Sequence, residues 1–241
     1  MPTARTARDR VRTEIRNEIL HTAKARLAKD GPIALSLRSV ARDLEIAPSA
    51  LYRYFDGRDA LLTALIQTAY ESLADTAESA ASACSSNPSF SDRWPMVPRA
   101  IRNWAIGNPN EWGLIFGSPV PGYMAPETTV APYVRVATAL TRPVVDAYST
   151  GALRVLNDTA TTTHTDVDET ALAAALAPVT EGLLPGMPLA TVAATVRAWS
   201  TLIGIISLEL FGHWRNTVLD PELFFENTIG DIALSLGFSL T

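Results

Sequence analysis

An all-α fold is what this sequence predicts, in two parts: an N-terminal three-helix region and a larger helical body behind it. Three observations carry that reading. Apolar residues recur at three- and four-residue spacing along most of the 241 residues. Convincing period-two runs bounded by turn residues, the mark of strands, are missing. Proline, glycine and short polar clusters punctuate the chain at helix-length intervals.

The spacing predicts a first helix over about residues 8–29, with Val11, Ile15, Ile19, Leu20, Ala23 and Leu27 as its apolar stripe. Asp30-Gly31-Pro32 ends it. A second helix follows Ser36, a suitable N-cap, and runs to about Leu44. A third begins at Pro48, a residue suited to the first helical position, and reaches about Tyr54. After Asp56-Gly57 a longer helix carries Leu61, Leu62, Leu65, Ile66, Ala69 and Leu73.

The stretch 78–92, "ESAASACSSNPSFSD", reads as a loop or a frayed helix end. Short helices are expected up to about Ile106 and from Asn110 to about Phe116, then a proline-rich connection, "SPVPGYMAPETT". The helix in "VAPYVRVATALTRPVVDAYST" should kink or restart near Pro143. Residues 157–169 are polar and expected to be mobile, and an alanine-rich helix follows over about 170–177. A helix over about 189–215 is apolar on every side, so it must be covered on every side. A last helix starts at Asp220-Pro221, carries Phe225, Ile229, Ile232 and Leu236, and ends at Gly237. These two helices are the expected subunit interface, since obligate interfaces resemble a domain core cut in half. The ordinary core of a large helical domain fits the same pattern.

Composition narrows the function classes. Hydrophobic residues make up 47% and charged residues 19%, values of a globular chain rather than a disordered one. The single cysteine, Cys84, excludes an intramolecular disulfide framework. The basic start lacks the apolar core of a signal peptide, and the apolar stretch 199–212 carries Glu209 and is too short for a bilayer. A soluble cytoplasmic protein with no membrane partner is expected. Net charge is −5, but it is unevenly spread: residues 1–60 hold 12 basic and 8 acidic side chains, residues 61–241 hold 8 and 17. A basic end on an acidic body suggests a local footprint for a polyanion.

The stretch "SLRSVARDLEIAPSALYRYF" places two short helices about a tight turn, an arrangement that can hold one helix forward for the DNA major groove. Leu37, Val40, Ala41 and Leu44 should hold the second helix to the core, Ile46 should plug the turn, and Leu51 and Phe55 should anchor the third helix. Ser49, Ala50, Tyr52, Arg53 and Tyr54 are then left facing outward. Hydroxyls bond phosphate oxygens and arginine adds charge. Arg53 fits either phosphate contact or a solvated surface, and Arg38 on the second helix fits either phosphate contact or pairing with a carboxylate. Tyr52 or Tyr54 packed beneath the first helix is the competing placement.

The longer stretch "LSLRSVARDLEIAPSALYRYFDGRDALLTAL" resembles the DNA-binding region of TetR-type transcriptional regulators, over about residues 10–70. "AWSTLIGIISLELFGHW" and "IFGSPVPGY" resemble one subgroup of them. The resemblance implies a DNA-binding domain over 1–57 and a helical ligand-binding and dimerisation domain over 58–241. It implies a homodimer paired through its last two helices, operator DNA as partner, and a ligand pocket among the middle helices. Ser36 matches a phosphate-touching hydroxyl. Ser49, Tyr52 and Tyr54 match contacts of the recognition helix, and Arg58 matches the basic residue opening the fourth helix. Two positions depart from the pattern: Glu45 stands where glycine is usual, and Ala47 where a hydroxyl cap is usual.

Trp104, Trp112, Phe116, Tyr123, Tyr133 and Trp199 are the candidate ligand contacts, with packing in the core as the plain alternative. Without an Arg/Lys cluster among them, a small apolar ligand, neutral or weakly cationic, is expected. Catalysis has little support. His21, His164 and His213 lack metal-ligand spacing, Cys84 has no histidine near it in sequence, and Asp166, Asp168 and Glu169 read as a solvated loop cluster. No cofactor, metal or catalytic constellation is expected. The reading is a ligand-responsive regulator, acting as a repressor released by its ligand. The alternative is a helical small-molecule binder without operator-specific DNA binding.

Overall fold

Ser36 shows how local chemistry starts the architecture. In the computed structural model its hydroxyl accepts from the Ser39 backbone N–H at 3.1 Å, and the Ser39 hydroxyl accepts from the Ser36 N–H at 3.2 Å. This reciprocal box satisfies donors that the first turn leaves unpaired. The structure describes residues 7–32, 34–83, 90–153 and 168–238. Cys84, His164, Asp166 and most of the 157–169 stretch lie outside the described residues.

The described elements are helical. They are α1 (Ala7–Asp30), α2 (Leu37–Asp43), α3 (Pro48–Leu51), α4 (Arg58–Ala83), α5 (Phe90–Arg93), α6 (Met96–Gly107) and α7 (Pro109–Phe116). A 3-10 turn at Glu127–Thr129 precedes α8 (Val130–Ser149), α9 (Glu169–Gly182), α10 (Leu189–Leu210) and α11 (Pro221–Ser235). The chain divides into two units. One holds residues 1–71 and 110–131, the other 72–109 and 132–241.

In the first unit Ile19, Ala23, Leu35, Leu37, Val40, Ala41, Leu51, Phe55, Leu61, Leu62 and Leu65 form one buried cluster. Burying a leucine-sized side chain is worth about 1.5–3 kcal/mol, so this cluster is what fixes the short α2 and α3. Val120 joins it, and Leu114 and Tyr123 pack against it, so the segment after α7 belongs to the same core. The Tyr123 hydroxyl meets the Thr63 hydroxyl at 2.9 Å, and Lys24 forms an ion pair with the buried Glu111. Gly117 closes α7 where a Cβ would lie 2.2 Å from the Gly113 carbonyl oxygen, a space only glycine fits.

In the second unit buried side chains of α6, α10 and α11 share a core: Ile101, Ala105, Leu202, Ile206, Phe225 and Ile229. The indole of Trp94 donates to the Ile229 carbonyl at 3.0 Å. Two bidentate ion pairs reach from α6: Arg102 to Glu209 on α10 at 2.7 and 2.9 Å, and Arg99 to Glu226 on α11 at 2.6 and 2.8 Å. Asp220 caps α11 by accepting from the Leu223 N–H.

Several boundaries differ from the sequence expectation. α4 continues to Ala83, so the small-residue stretch begins as helix. α8 runs unbroken through Pro143. α9 passes through Pro178 to Gly182; Ala174, whose carbonyl loses its helical partner there, is exposed. α10 stops at Leu210, and Gly212 follows at φ 74°. At 22 residues α10 is long and apolar enough to cross a membrane, unlike the shorter stretch read from sequence, but 56% of its most apolar window is buried inside the protein.

Candidate nucleic-acid interface

α3 is a single turn of helix, too short to hold its own shape. It is held from behind by Leu51, which is fully buried, and by Phe55 at 3% exposure. The regular helix ends at Leu51, three residues earlier than expected. The chain continues in tight turns: the Arg53 N–H donates to the Ala50 carbonyl, and the Tyr54 and Phe55 N–H groups donate to the Leu51 carbonyl. Tyr52 is 51% exposed, and Ser49 and Arg53 are exposed. Ala50 is half-buried. Tyr54 is also half-buried and packs against the core cluster, so the outward face is narrower than the sequence spacing predicts.

The flanking positions are also placed. Ser36 is half-buried at the N-terminus of α2, engaged as its cap, and Arg38 on the next turn is exposed. Arg58 opens α4, and its guanidinium donates to the carbonyls of Leu35 at 3.2 Å and Pro32 at 3.0 Å. These bonds tie the start of α4 to the α1–α2 connection. Arg26 performs a similar task, donating to both carboxylate oxygens of Asp43 at 2.6 Å and to Asp30 at 2.8 Å. The Arg26 bond holds the Asp43 carboxyl below the ordinary carboxylate range.

Between α2 and α3, Glu45 has φ 55°, the left-handed region that glycine adopts without strain. The Glu45 side chain is exposed, and so is Ile46, at 40%. Ile46 therefore does not plug the turn; its backbone N–H bonds the Ala41 carbonyl instead, at 3.0 Å. Ala47 precedes α3 with no side-chain cap, and Pro48 supplies the preset first position.

Sequence reasoning passed over Arg42, exposed on α2, and the N-terminal arginines of α1: Arg8, Arg10, Arg12 and Arg16 are exposed. The guanidinium of Arg16 sits 5.0 Å from the centre of the Phe55 ring. An excess of arginine near the start was the available signal; its placement beside α3 was not.

A single-turn helix held forward by a buried Leu–Phe pair behind a capped α2, with Arg53 exposed just past its end, is a helix-turn-helix. Residues 19–65 match the family model described as "Bacterial regulatory proteins, tetR family", and residues 94–232 match "Tetracyclin repressor-like, C-terminal domain". The chain belongs to the TetR family. It is a DNA-binding transcriptional regulator, and its family and relatives are regulators rather than enzymes. The HTH-type transcriptional regulator Rv1816 of Mycobacterium tuberculosis is 36% identical over 217 residues, covering 89% of each chain. The solved structure of regulatory protein SCO4313 is 33% identical, with a TM-score of 0.73 over 94% of this chain and 98% of that one. A tetR-family regulator from Rhodococcus RHA1 shares the fold at 16% identity, with a TM-score of 0.60 over 94% of this chain and 98% of that one. Regulators of this family bind operator DNA and ligands and are dimeric.

The six aromatic candidates of this TetR-family chain fall three in each unit. In the first, Trp112 is fully buried and packs against Phe116 with ring centres 4.5 Å apart and planes tilted by 49°, Phe116 meets Tyr70 edge-on at 5.9 Å, and Tyr123 bonds Thr63. In the second, the indoles are tied down: Trp104 donates to the Ser72 hydroxyl and Trp199 to the Tyr133 hydroxyl, each at 3.0 Å. The second unit also has a groove of about 400 Å³ lined by Glu78, Ala81, Ser82, Arg135, Thr138, Ala139 and Arg142. None of the six aromatics lines it. Its cations are engaged, Arg135 by Glu78 and Asp75 and Arg142 by Asp146. Among the described residues no group of three or more His, Cys, Asp or Glu is placed to hold a metal ion.

Proposed function

We propose that the exposed surface of α3 and the first turn of α2 is the operator-reading face of a ligand-responsive repressor. The observation that carries this is the exposure of Tyr52 and Arg53 on a turn whose back is sealed by Leu51 and Phe55. Ser49, Ala50, Tyr52, Arg53 and the edge of Tyr54 meet the major groove and its margins. Ser36 and Arg38 meet the adjoining phosphates. Arg58, whose guanidinium holds the Pro32 and Leu35 carbonyls and lies 3.7 Å from the Asp59 carboxylate, contributes by fixing the start of α4 beside the phosphates. DNA contact belongs to residues 1–57 and effector binding and pairing to residues 58–241.

Reading two half-sites of a palindrome requires two copies. α10 and α11 are the proposed pairing surface. Leu208 and Phe211 on and just beyond α10, and Leu223, Phe224 and Leu234 on α11, are 41–67% exposed. Exposed apolar side chains grouped on two neighbouring helices fit a second copy of the same surface. A small apolar molecule bound by the body, with Trp104, Trp112, Phe116, Tyr123, Tyr133 and Trp199 as the side chains to probe, favours a state of lower operator affinity. Moving the population requires preference for that state: a hundredfold preference corresponds to about 2.7 kcal/mol. The protein works in the cytoplasm without a membrane partner or cofactor.

The test uses full-length protein and duplexes selected from a random 30-base-pair library. Selected sites should be near-palindromic, with half-sites one helical turn apart or a multiple of that, and an effective apolar compound should release them. Selection of no sequence would instead favour a helical small-molecule binder.

A further inference from the structure

We infer that the N-terminal two turns of α1 form a second DNA-contacting surface, an arginine row that grips phosphates flanking the site read by α3. The inference rests on the DNA-binding reading above. It begins with where α1 stops packing. The apolar stripe was expected to start at Val11, yet Val11 is 52% exposed and Ile15 only half-buried; full burial begins at Ile19. α1 starts at Ala7, so it outruns its packing by about 12 Å, eight residues at about 1.5 Å each.

What occupies the outrunning face is specific. Residues seven apart share a face of a helix. Arg8 lies over Ile15, and Arg12 over Ile19. The stripe that is isoleucine inside the unit becomes arginine where the unit ends. Arg10 and Glu14 lie on the opposite face and Glu18 to the side, while Asp9, seven residues before Arg16, borders the row as its one acid. Arg8, Arg12 and Arg16 follow each other at i, i+4 and i+8. Like charges at that spacing cost a helix a few tenths of a kcal/mol per pair. Among the described residues Arg8, Arg12 and Arg16 make no ion pair that would offset this. A polyanion would.

The direction of the row is given by its inner end. Arg16 stacks over Phe55, the residue that anchors the recognition turn, so the row starts beside α3 and leads away from it. Charge complementarity selects the phosphate backbone, and the adjacency to α3 selects the same duplex.

The test is a salt series of operator binding with full-length wild type, Arg8→Ala/Arg12→Ala, Arg8→Lys/Arg12→Lys and Glu14→Gln/Glu18→Gln. Each lost phosphate contact lowers the slope of log K against log salt by about 0.9, so the alanine pair should flatten it by about 2. The lysine pair should restore it, and the glutamine pair should leave it within half a unit. Hydroxyl-radical protection should shrink at both outer edges of the site in the alanine pair alone. Wild type binding with an unchanged slope and footprint in the alanine pair overturns the arginine row and leaves the α3 reading intact. A wild type that selects no operator overturns both.

Discussion

The two units use arginine differently. In the second unit five of the seven described arginines are matched: Arg93 with Asp146, Arg99 with Glu226, Arg102 with Glu209, Arg135 with Asp75 and Glu78, Arg142 with Asp146; Arg197 and Arg215 are exposed without an ion pair among the described residues. In the first unit Arg26 is matched, but Arg38, Arg42 and Arg53 stay exposed without an ion pair among the described residues. A matched arginine is part of the scaffold, and its charge is cancelled at short range. An unmatched one projects its charge into solvent, where a phosphate can answer it. A chain with net charge −5 can therefore be a DNA-binding protein: most arginines of the second unit are cancelled by adjacent acids, while Arg38, Arg42 and Arg53 of the first stand exposed without an ion pair among the described residues.

The largest effect should come from breaking a matched pair. Arg102 and Glu209 are 10% and 15% exposed, so Glu209→Ala leaves a nearly buried guanidinium without its hydrogen-bonded carboxylate. Loss of at least about 3 kcal/mol is expected by chemical denaturation. A loss under 1 kcal/mol would mean that the second unit does not depend on its pairs.

Glu45→Gly should act in the other direction on the first unit. Relieving a left-handed non-glycine backbone is worth about 1–2 kcal/mol and removes an exposed carboxylate, so both the thermal midpoint and operator affinity should rise. An affinity gain without a stability gain would assign the effect to charge alone. Ala47→Ser should add up to about 1 kcal/mol by capping α3.

The smallest effect concerns acid. The hydrogen bond from Arg99 holds Glu226 below the ordinary glutamate range. Its contribution is present above the unfolded pKa of about 4.3 and is lost as pH falls through the lower folded value. Both partners are partly exposed, so the amount is below about 1 kcal/mol. Glu226→Gln should flatten the stability profile between about pH 5 and 3, read by thermal melts.

Local chemistry was legible in the sequence. Ser36 and Asp220 cap the helices they were expected to cap, and Leu51 and Phe55 are buried as their spacing requires. Glu45 and Ala47 were visible as departures, and both have a structural counterpart in the strained turn and the uncapped α3. What escaped was set by residues distant in sequence. Arg58 was expected as the basic residue opening the fourth helix, but its carbonyl acceptors, 23 and 26 residues away, could not be read from spacing. Val11 and Ile46 look apolar enough for a core, but both are exposed among the described residues. Tyr54 was expected outside, yet the early end of α3 turns it against the core. The six aromatics were identifiable as a set only by composition, which does not say in which unit each one packs.

The most direct test of the α3 surface is operator binding by Tyr52→Ala/Arg53→Ala, with far-UV circular dichroism to confirm the fold. Both side chains are exposed, so helicity should stay unchanged while operator affinity falls at least tenfold, about 1.4 kcal/mol, and the salt slope drops by about one. Affinity and slope equal to wild type would contradict the assignment of α3 as the reading face.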